Sequence, residues 1–190
     1  MEKMDTNFKY FLRENIIDSK LYKLIINKFN NIYHFIKDMG IIHNDIKPEN
    51  IVLNYNNIIN TLSIIDYGCI TYIPINSLIY QEPTCLTPIY ASPELFSCIS
   101  FSEENYENKQ SGIIPKVTSK SDIWSFGMII YEMYTKKKFF ENTEPKCYAD
   151  YIKRVEEWKL SGRNEVGKEI YEYLNNLIKI NPDERNFYLI

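Results

Sequence analysis

The chain reads as a mainly α domain with a small β-hairpin element, an α+β fold, and three observations carry that reading. Apolar residues between Ser19 and Met39 fall at Leu21, Leu24, Ile25, Ile32, Phe35, Ile36 and Met39, the spacing of a helix with one buried stripe. The run "SDIWSFGMIIYEMYTKKKFF" is apolar on every side from Ile123 to Met133, which places a helix at 121–135 in the centre of the domain. Between them, "IVL" and "TLSII" are short β-rich runs joined by the turn "NYNN". At 190 residues and 45% hydrophobic, the chain can bury one core as a single domain.

Each element follows from local chemistry. Asp18 or Ser19 can accept the free N–H groups that open the first long helix, and Gly40 stands where its end wants a left-handed residue. From Asp66 to Ser92 the periodicity disappears, with Pro74, Pro83 and Pro88 breaking it up; a span of that length inside a compact domain implies a functional loop. Residues 97–118 are polar and mildly acidic and read as a surface insertion. Two amphipathic segments, 148–160 and 165–180, close the chain before "NPDERN".

Composition excludes several classes of function. A net charge of −3 gives no field to attract nucleic acid or an anionic membrane. No apolar run reaches the length of a membrane span, and the first ten residues lack the apolar stretch of a secretory signal; a cytoplasmic protein is expected. Cys69, Cys85, Cys98 and Cys147 are far apart without CxxC pairing and are expected to be isolated reduced thiols. Heavy use of Ile, Asn, Lys and Tyr suggests an AT-rich genome, such as that of a large DNA virus or a protist.

The chemistry concentrates in "IIHNDIKPENIVLN". Asp45 and Asn50 lie on one loop pinned by apolar runs at both ends, and Asp66 follows at the end of the next strand before Tyr67 and Gly68. A hairpin with Asn50 entering and Asp66 leaving brings two hard oxygen donors to one end, a plausible magnesium clamp with the Asp45 carboxylate alongside. Gly68 permits a sharp turn there. His43 is a poor metal candidate, since the other histidine, His34, lies far back on a helix.

Here the sequence resembles the eukaryotic-type protein kinase family, of serine/threonine type. "HNDIKPENIVL" resembles the catalytic loop (43–50), "IIDYGC" the metal-binding segment (66–68), and "TPIYASPE" the end of an activation segment spanning 66–94. "SDIWSFGMIIYEM" is similar to the central-helix signature and "NPDER" to the late arginine motif, all in family order. The resemblance implies ATP and Mg2+ as cofactors and a protein serine or threonine as substrate. It makes Asp45 the base that orients the attacking hydroxyl, Lys47 the charge-neutralising residue, and Thr87 a bridge to both. Asn50 and Asp66 would hold magnesium, and Val52 would contact the nucleotide. His43 and Tyr67 resemble members of a hydrophobic spine, Asp122 an anchor for the catalytic loop, and Glu94 with Arg185 a buried ion pair.

Departures from the family pattern carry their own expectations. No G-x-G-x-x-G occurs, so the chain reads as the large, C-terminal lobe of a kinase with the N-terminal β lobe absent. Asn44 replaces the arginine that usually precedes the catalytic Asp, so activity is expected to be insensitive to phosphorylation at Thr84, Tyr80 or Ser77. Tyr67 for Phe and Ser92 for Ala are expected to be mild. The leading function is thus a serine/threonine kinase truncated to its catalytic lobe, either a fragment of a longer kinase or a half that borrows a small lobe from a partner. The alternative is a non-catalytic lobe mimic or pseudokinase that exposes apolar surface and inhibits another kinase.

Overall fold

A computed structural model describes residues 4–56, 58–73, 83–104, 117–140 and 144–190, with the side chains of 99–104 left aside. The core is built on two helices. Helix α2 (Ser19–Asp38) opens with Asp18 accepting the Leu21 N–H at 2.7 Å and buries Tyr22, Ile25, Ile26, Phe29, Tyr33 and Ile36. Helix α4 (Lys120–Thr135) buries every residue from Ser121 to Tyr131, as its all-round apolarity requires. The two meet through Phe29 and Phe126, whose rings are 5.1 Å apart. A fully buried side chain of this kind stabilises by about 1.5–3 kcal/mol.

The expected hairpin forms from β3 (Ile51–Tyr55) and β4 (Ile59–Ile64), antiparallel with Ile51 opposite Ile64 and Leu53 opposite Leu62. Those four side chains face the core, so a slip of one residue would expose all of them. A bulge between Asn54 and Tyr55 sits at the turn end. The edge strand β1 (Thr6–Asn7) pairs with β3 and leads into helix α1 (Phe8–Glu14), where Asn7 caps the Tyr10 N–H.

The aperiodic stretch after Asp66 is not wholly irregular. Strand β5 (Thr71–Tyr72) pairs antiparallel with β2 (Ile41–Ile42), and Ile73 N–H donates to Gly40 O at 2.7 Å. Gly40, at φ +71°, allows this approach, since a Cβ there would collide with the Ile73 carbonyl.

Three expectations need correction. Helix α3 (Pro93–Glu104) takes in the first part of the span read as a surface insertion, because Leu95 and Phe96 anchor it and Ser97 is buried on Pro93 O. Val117 at the far end is also buried, while 105–116 lie outside the described residues. The last two helices divide at Gly167 (φ +76°), giving α5 (Tyr148–Val166) and α6 (Lys168–Leu177), a longer first helix and a later, shorter second one than expected. Cys69 and Cys85 are not isolated thiols: they form a disulfide, their Cα atoms 5.5 Å apart, and Cys98 and Cys147 take no part in it. Among the described residues no helix is long and apolar enough to cross a membrane.

Candidate active site

The loop between β2 and β3 is held from below by helix α4. Asp122, in the first turn of α4, accepts the His43 N–H at 2.9 Å and the Asn44 N–H at 3.1 Å. Burial pushes the Asp122 carboxyl up to about 7, a rise the two backbone donors offset only in part. His43 is fully buried; with Nε2–H donating to Ile65 O, its Nδ1 accepts the Asp45 N–H. Burial lowers the His43 pKa, so the ring is neutral at pH 7.

Asp45 lies at the centre of a polar cluster. Its Oδ1 accepts the Thr87 hydroxyl at 2.6 Å, and its Oδ2 accepts Lys47 Nζ at 2.6 Å and Asn50 Nδ2 at 3.2 Å. Lys47 also donates to Thr87 Oγ1 at 3.0 Å, closing a triangle of Asp45, Lys47 and Thr87 across 42 residues of sequence. Charge-assisted bonds of this length fix the carboxylate in one orientation. An anchored carboxylate beside a cation and a hydroxyl can orient an incoming alcohol while the ammonium meets developing negative charge.

Asn50 ends a short 3-10 turn (Pro48–Asn50) and donates its side-chain amide to Asp45 O as well, at 3.0 Å. Both N–H bonds of this amide go to Asp45, and its oxygen is the atom that could serve a metal. The Ile65 N–H donates to Asn50 O at 2.9 Å, which ties the start of β3 to the end of β4 and sets Asp66 beside Asn50 in the chain fold. Asp66 is exposed and adopts φ +65°. The left-handed residue of this turn is Asp66, which tolerates that conformation through local hydrogen bonding. Its Oδ1 accepts the Gly68 N–H at 3.4 Å, and a Cβ on Gly68 would press on that oxygen at 3.3 Å.

One carboxylate and one amide oxygen fit magnesium, which keeps waters and completes its shell with phosphate oxygens. They do not make a self-sufficient cage: among the described residues no group of three or more His, Cys, Asp or Glu side chains could hold a metal. Val52 is half-buried on β3, opposite Ser63. Tyr67 packs its ring 5.2 Å from His43 but leaves 46% of its surface exposed.

Glu94 and Arg185 meet as a bidentate pair, at 2.6 and 2.8 Å, with both side chains buried. Burial would raise the Glu94 carboxyl, but the Arg185 charge and the bonds from Arg185 and Ser121 hold it below its ordinary value. Each expected residue thus sits in the described structure, whereas Ser77 and Tyr80 lie outside the described residues.

Some contacts were not foreseen. Asn44 adopts φ +66° and donates its amide to Cys69 O at 2.7 Å and Thr71 Oγ1 at 2.9 Å. Ser92 receives the Leu95 N–H, so its hydroxyl caps α3. Tyr90 donates to Glu132 on α4 at 2.6 Å. The one advance signal was Asn44 itself, since Asn is among the few residues that enter the left-handed region readily.

Comparison with known proteins adds the family. The protein kinase domain matches residues 1–187. The chain belongs to the protein kinase domain family. This kinase domain is 31% identical over 156 residues to the serine/threonine-protein kinase MPS1 of Saccharomyces cerevisiae, covering 79% of the chain and 20% of that protein. It is 26% identical to an Aurora kinase of Eremothecium gossypii, covering 93% of the chain and 45% of the relative. The kinase domain therefore spans less than half the length of these curated relatives. In fold it is similar to a chain of the yeast RNA polymerase II CTD kinase CTDK-1 complex, with a TM-score of 0.72, 15% identity, and coverage of 97% of this chain and 65% of that one.

Proposed function

We propose that this chain is the catalytic large lobe of a serine/threonine protein kinase, transferring a phosphoryl group from ATP to a protein hydroxyl when a small lobe is supplied, as by a partner chain. The observation that carries the proposal is the closed triangle of Asp45, Lys47 and Thr87. In this reading Asp45 orients the substrate hydroxyl, Lys47 meets charge on the transferring phosphoryl group, and Thr87 holds both in register. Asn50 and Asp66 would hold magnesium, which when bound neutralises and bridges phosphate oxygens; Val52 would lie against the nucleotide.

The dependence on a small lobe rests on the surface around Asp66. Ile65, Tyr67 and Ile70 are 40%, 46% and 37% exposed beside the metal-ligand position, an apolar rim that a nucleotide and a second lobe would cover. The same rim favours a second reading, a non-catalytic lobe that docks on another kinase's small lobe and inhibits it.

A phosphotransfer assay with magnesium-ATP and a generic basic protein, run with and without an added kinase small lobe, separates the two. The enzyme reading expects signal that depends on the added lobe and falls at least about 10²-fold in Asp45→Ala. Equal signal from wild type and Asp45→Ala sinks it.

A further inference from the structure

Five links on this chain close a loop around the catalytic residue. Asp45 follows Asn44 directly; the Asn44 amide donates to Cys69 O and Thr71 Oγ1; Cys69 is joined to Cys85; Thr87 stands two residues beyond; and the Thr87 hydroxyl returns to Asp45 Oδ1 at 2.6 Å. Asn44 and Thr71 are 1% and 0% exposed, so the amide-to-hydroxyl bond is sheltered from water. The Asn44 backbone is itself fixed, at φ +66° with its N–H on Asp122 Oδ1.

We propose that Asn44 and the Cys69–Cys85 disulfide form a redox-sensitive brace that holds the stretch carrying Thr87 against Asp45 without a phosphate, and that a dithiol opens it. The inference rests on the kinase reading for its catalytic consequence, though not for the brace itself. Asn44 is a positioning residue: it touches neither substrate nor nucleotide and acts through the segment it fastens. Where a kinase of this family with arginine at this position can recruit a phosphorylated side chain, this chain offers a neutral amide that binds a carbonyl and a hydroxyl. The covalent link then carries that fixation from Cys69 to the residue two positions before Thr87.

Opening is ordinary thiol–disulfide exchange. A thiolate of the dithiol attacks one sulfur of the pair and the other cysteine leaves as a thiolate that takes up a proton. The second thiol of the reagent then closes its own disulfide and releases the remaining cysteine as a thiol. The protein gains two electrons and two protons, and the dithiol loses them. In a reducing compartment such a link would be intermittent, which suits a switch more than a permanent staple.

The test uses the whole chain purified without reductant. Alkylation with iodoacetamide under denaturing, non-reducing conditions should modify Cys98 and Cys147 alone, and all four cysteines after dithiothreitol. Hydrogen exchange then reads the segment at the Tyr90 and Ala91 amides, both bonded to Thr87 O. Reduction should speed them by about tenfold or more, since the cross-link no longer limits the open states. The His43 amide on Asp122 should keep its protection and so report an intact fold. Cys85→Ser should behave like the reduced protein. Asn44→Gly keeps the left-handed backbone but loses both donors, and should loosen the segment in the oxidised state. Phosphotransfer with an added small lobe should fall in parallel on reduction and return on reoxidation. An exchange shift with no phosphotransfer in any form supports the brace and overturns the kinase reading instead. Four alkylated cysteines without reductant, or exchange unchanged by reduction, overturns the brace whatever the activity.

Discussion

Replacing Arg185 by Ala should be among the most damaging changes this fold can suffer. The guanidinium is fully buried and donates to Glu94 through two bonds, to Lys120 O at 3.1 Å, to Lys179 O at 2.7 Å and to Ile180 O at 3.2 Å, and its carbon lies 5.1 Å from the Trp124 ring centre. Removing it leaves the Glu94 carboxylate buried with Ser121 as its remaining side-chain donor, a loss of about 3–5 kcal/mol for a broken buried pair. For a chain of this size that corresponds to a fall in Tm of about 6–20 °C.

Scanning calorimetry or circular dichroism across pH checks the reasoning as well as the size. In the wild type the Glu94 carboxyl titrates below its ordinary value, so its contribution is present above the unfolded pKa and is lost as pH falls through the folded one. In Arg185→Ala burial is no longer opposed by the cation, Glu94 protonates at higher pH, and the variant is relieved as pH falls. The gap between the two proteins should therefore narrow as pH falls toward the ordinary carboxylate range. The double variant Glu94→Leu with Arg185→Met, which has no buried charge, should recover much of the loss. An unchanged Tm for Arg185→Ala, or a gap independent of pH, refutes the argument.

Two further predictions concern the supports of the loop that carries Asp45. Because the folded Asp122 carboxyl is raised to about 7, its stability contribution is fully present below the unfolded pKa and is lost as pH rises through 7. The stability of wild type relative to Asp122→Asn should then decline between pH 5 and pH 7.5 by up to about 1.4 kcal/mol per unit, measured by urea unfolding; a flat difference counts against the shift. Gly40→Ala should cost at least about 1–2 kcal/mol for the left-handed backbone alone, and Gly40→Asn should remain destabilised because its Cβ still meets the Ile73 carbonyl. A Gly40→Asn protein as stable as wild type would remove the close approach from the account.

How far the sequence spoke depended on the range of the interaction involved. Helices α2 and α4 were legible because a stripe or an all-round apolar surface repeats over many residues. The hairpin was legible because its two runs are local. Asp45, Asn50 and Asp66 could be grouped since one hairpin brings them together. By contrast, β2 and β5 are two residues each, too short for any period to register, and they pair across about 30 positions. Nothing in the spacing of Cys69 and Cys85, 16 apart, marks them as partners, because pairing is set by where the segment returns. Asn44 was legible as a loss, the missing arginine, and its new bonds depend on where Cys69 and Thr71 lie in space. Residues 97–104 looked like loop because their polar composition hid the anchoring of Leu95 and Phe96 at the helix start.

The bulge between Asn54 and Tyr55 gives the hairpin two unequal ends. At the end bearing Asn50 and Ile65, register is enforced by the Ile51–Ile64 and Leu53–Leu62 pairs and by a backbone bond. At the turn end the ladder has already slipped by a residue without disturbing them. Insertions or substitutions beyond Tyr55, at the turn end, should be absorbed there before they reach Asn50 and Asp66. The hairpin is therefore mechanically insulated: a label or tag placed at its turn end should leave the register at Asn50 and Ile65 unchanged.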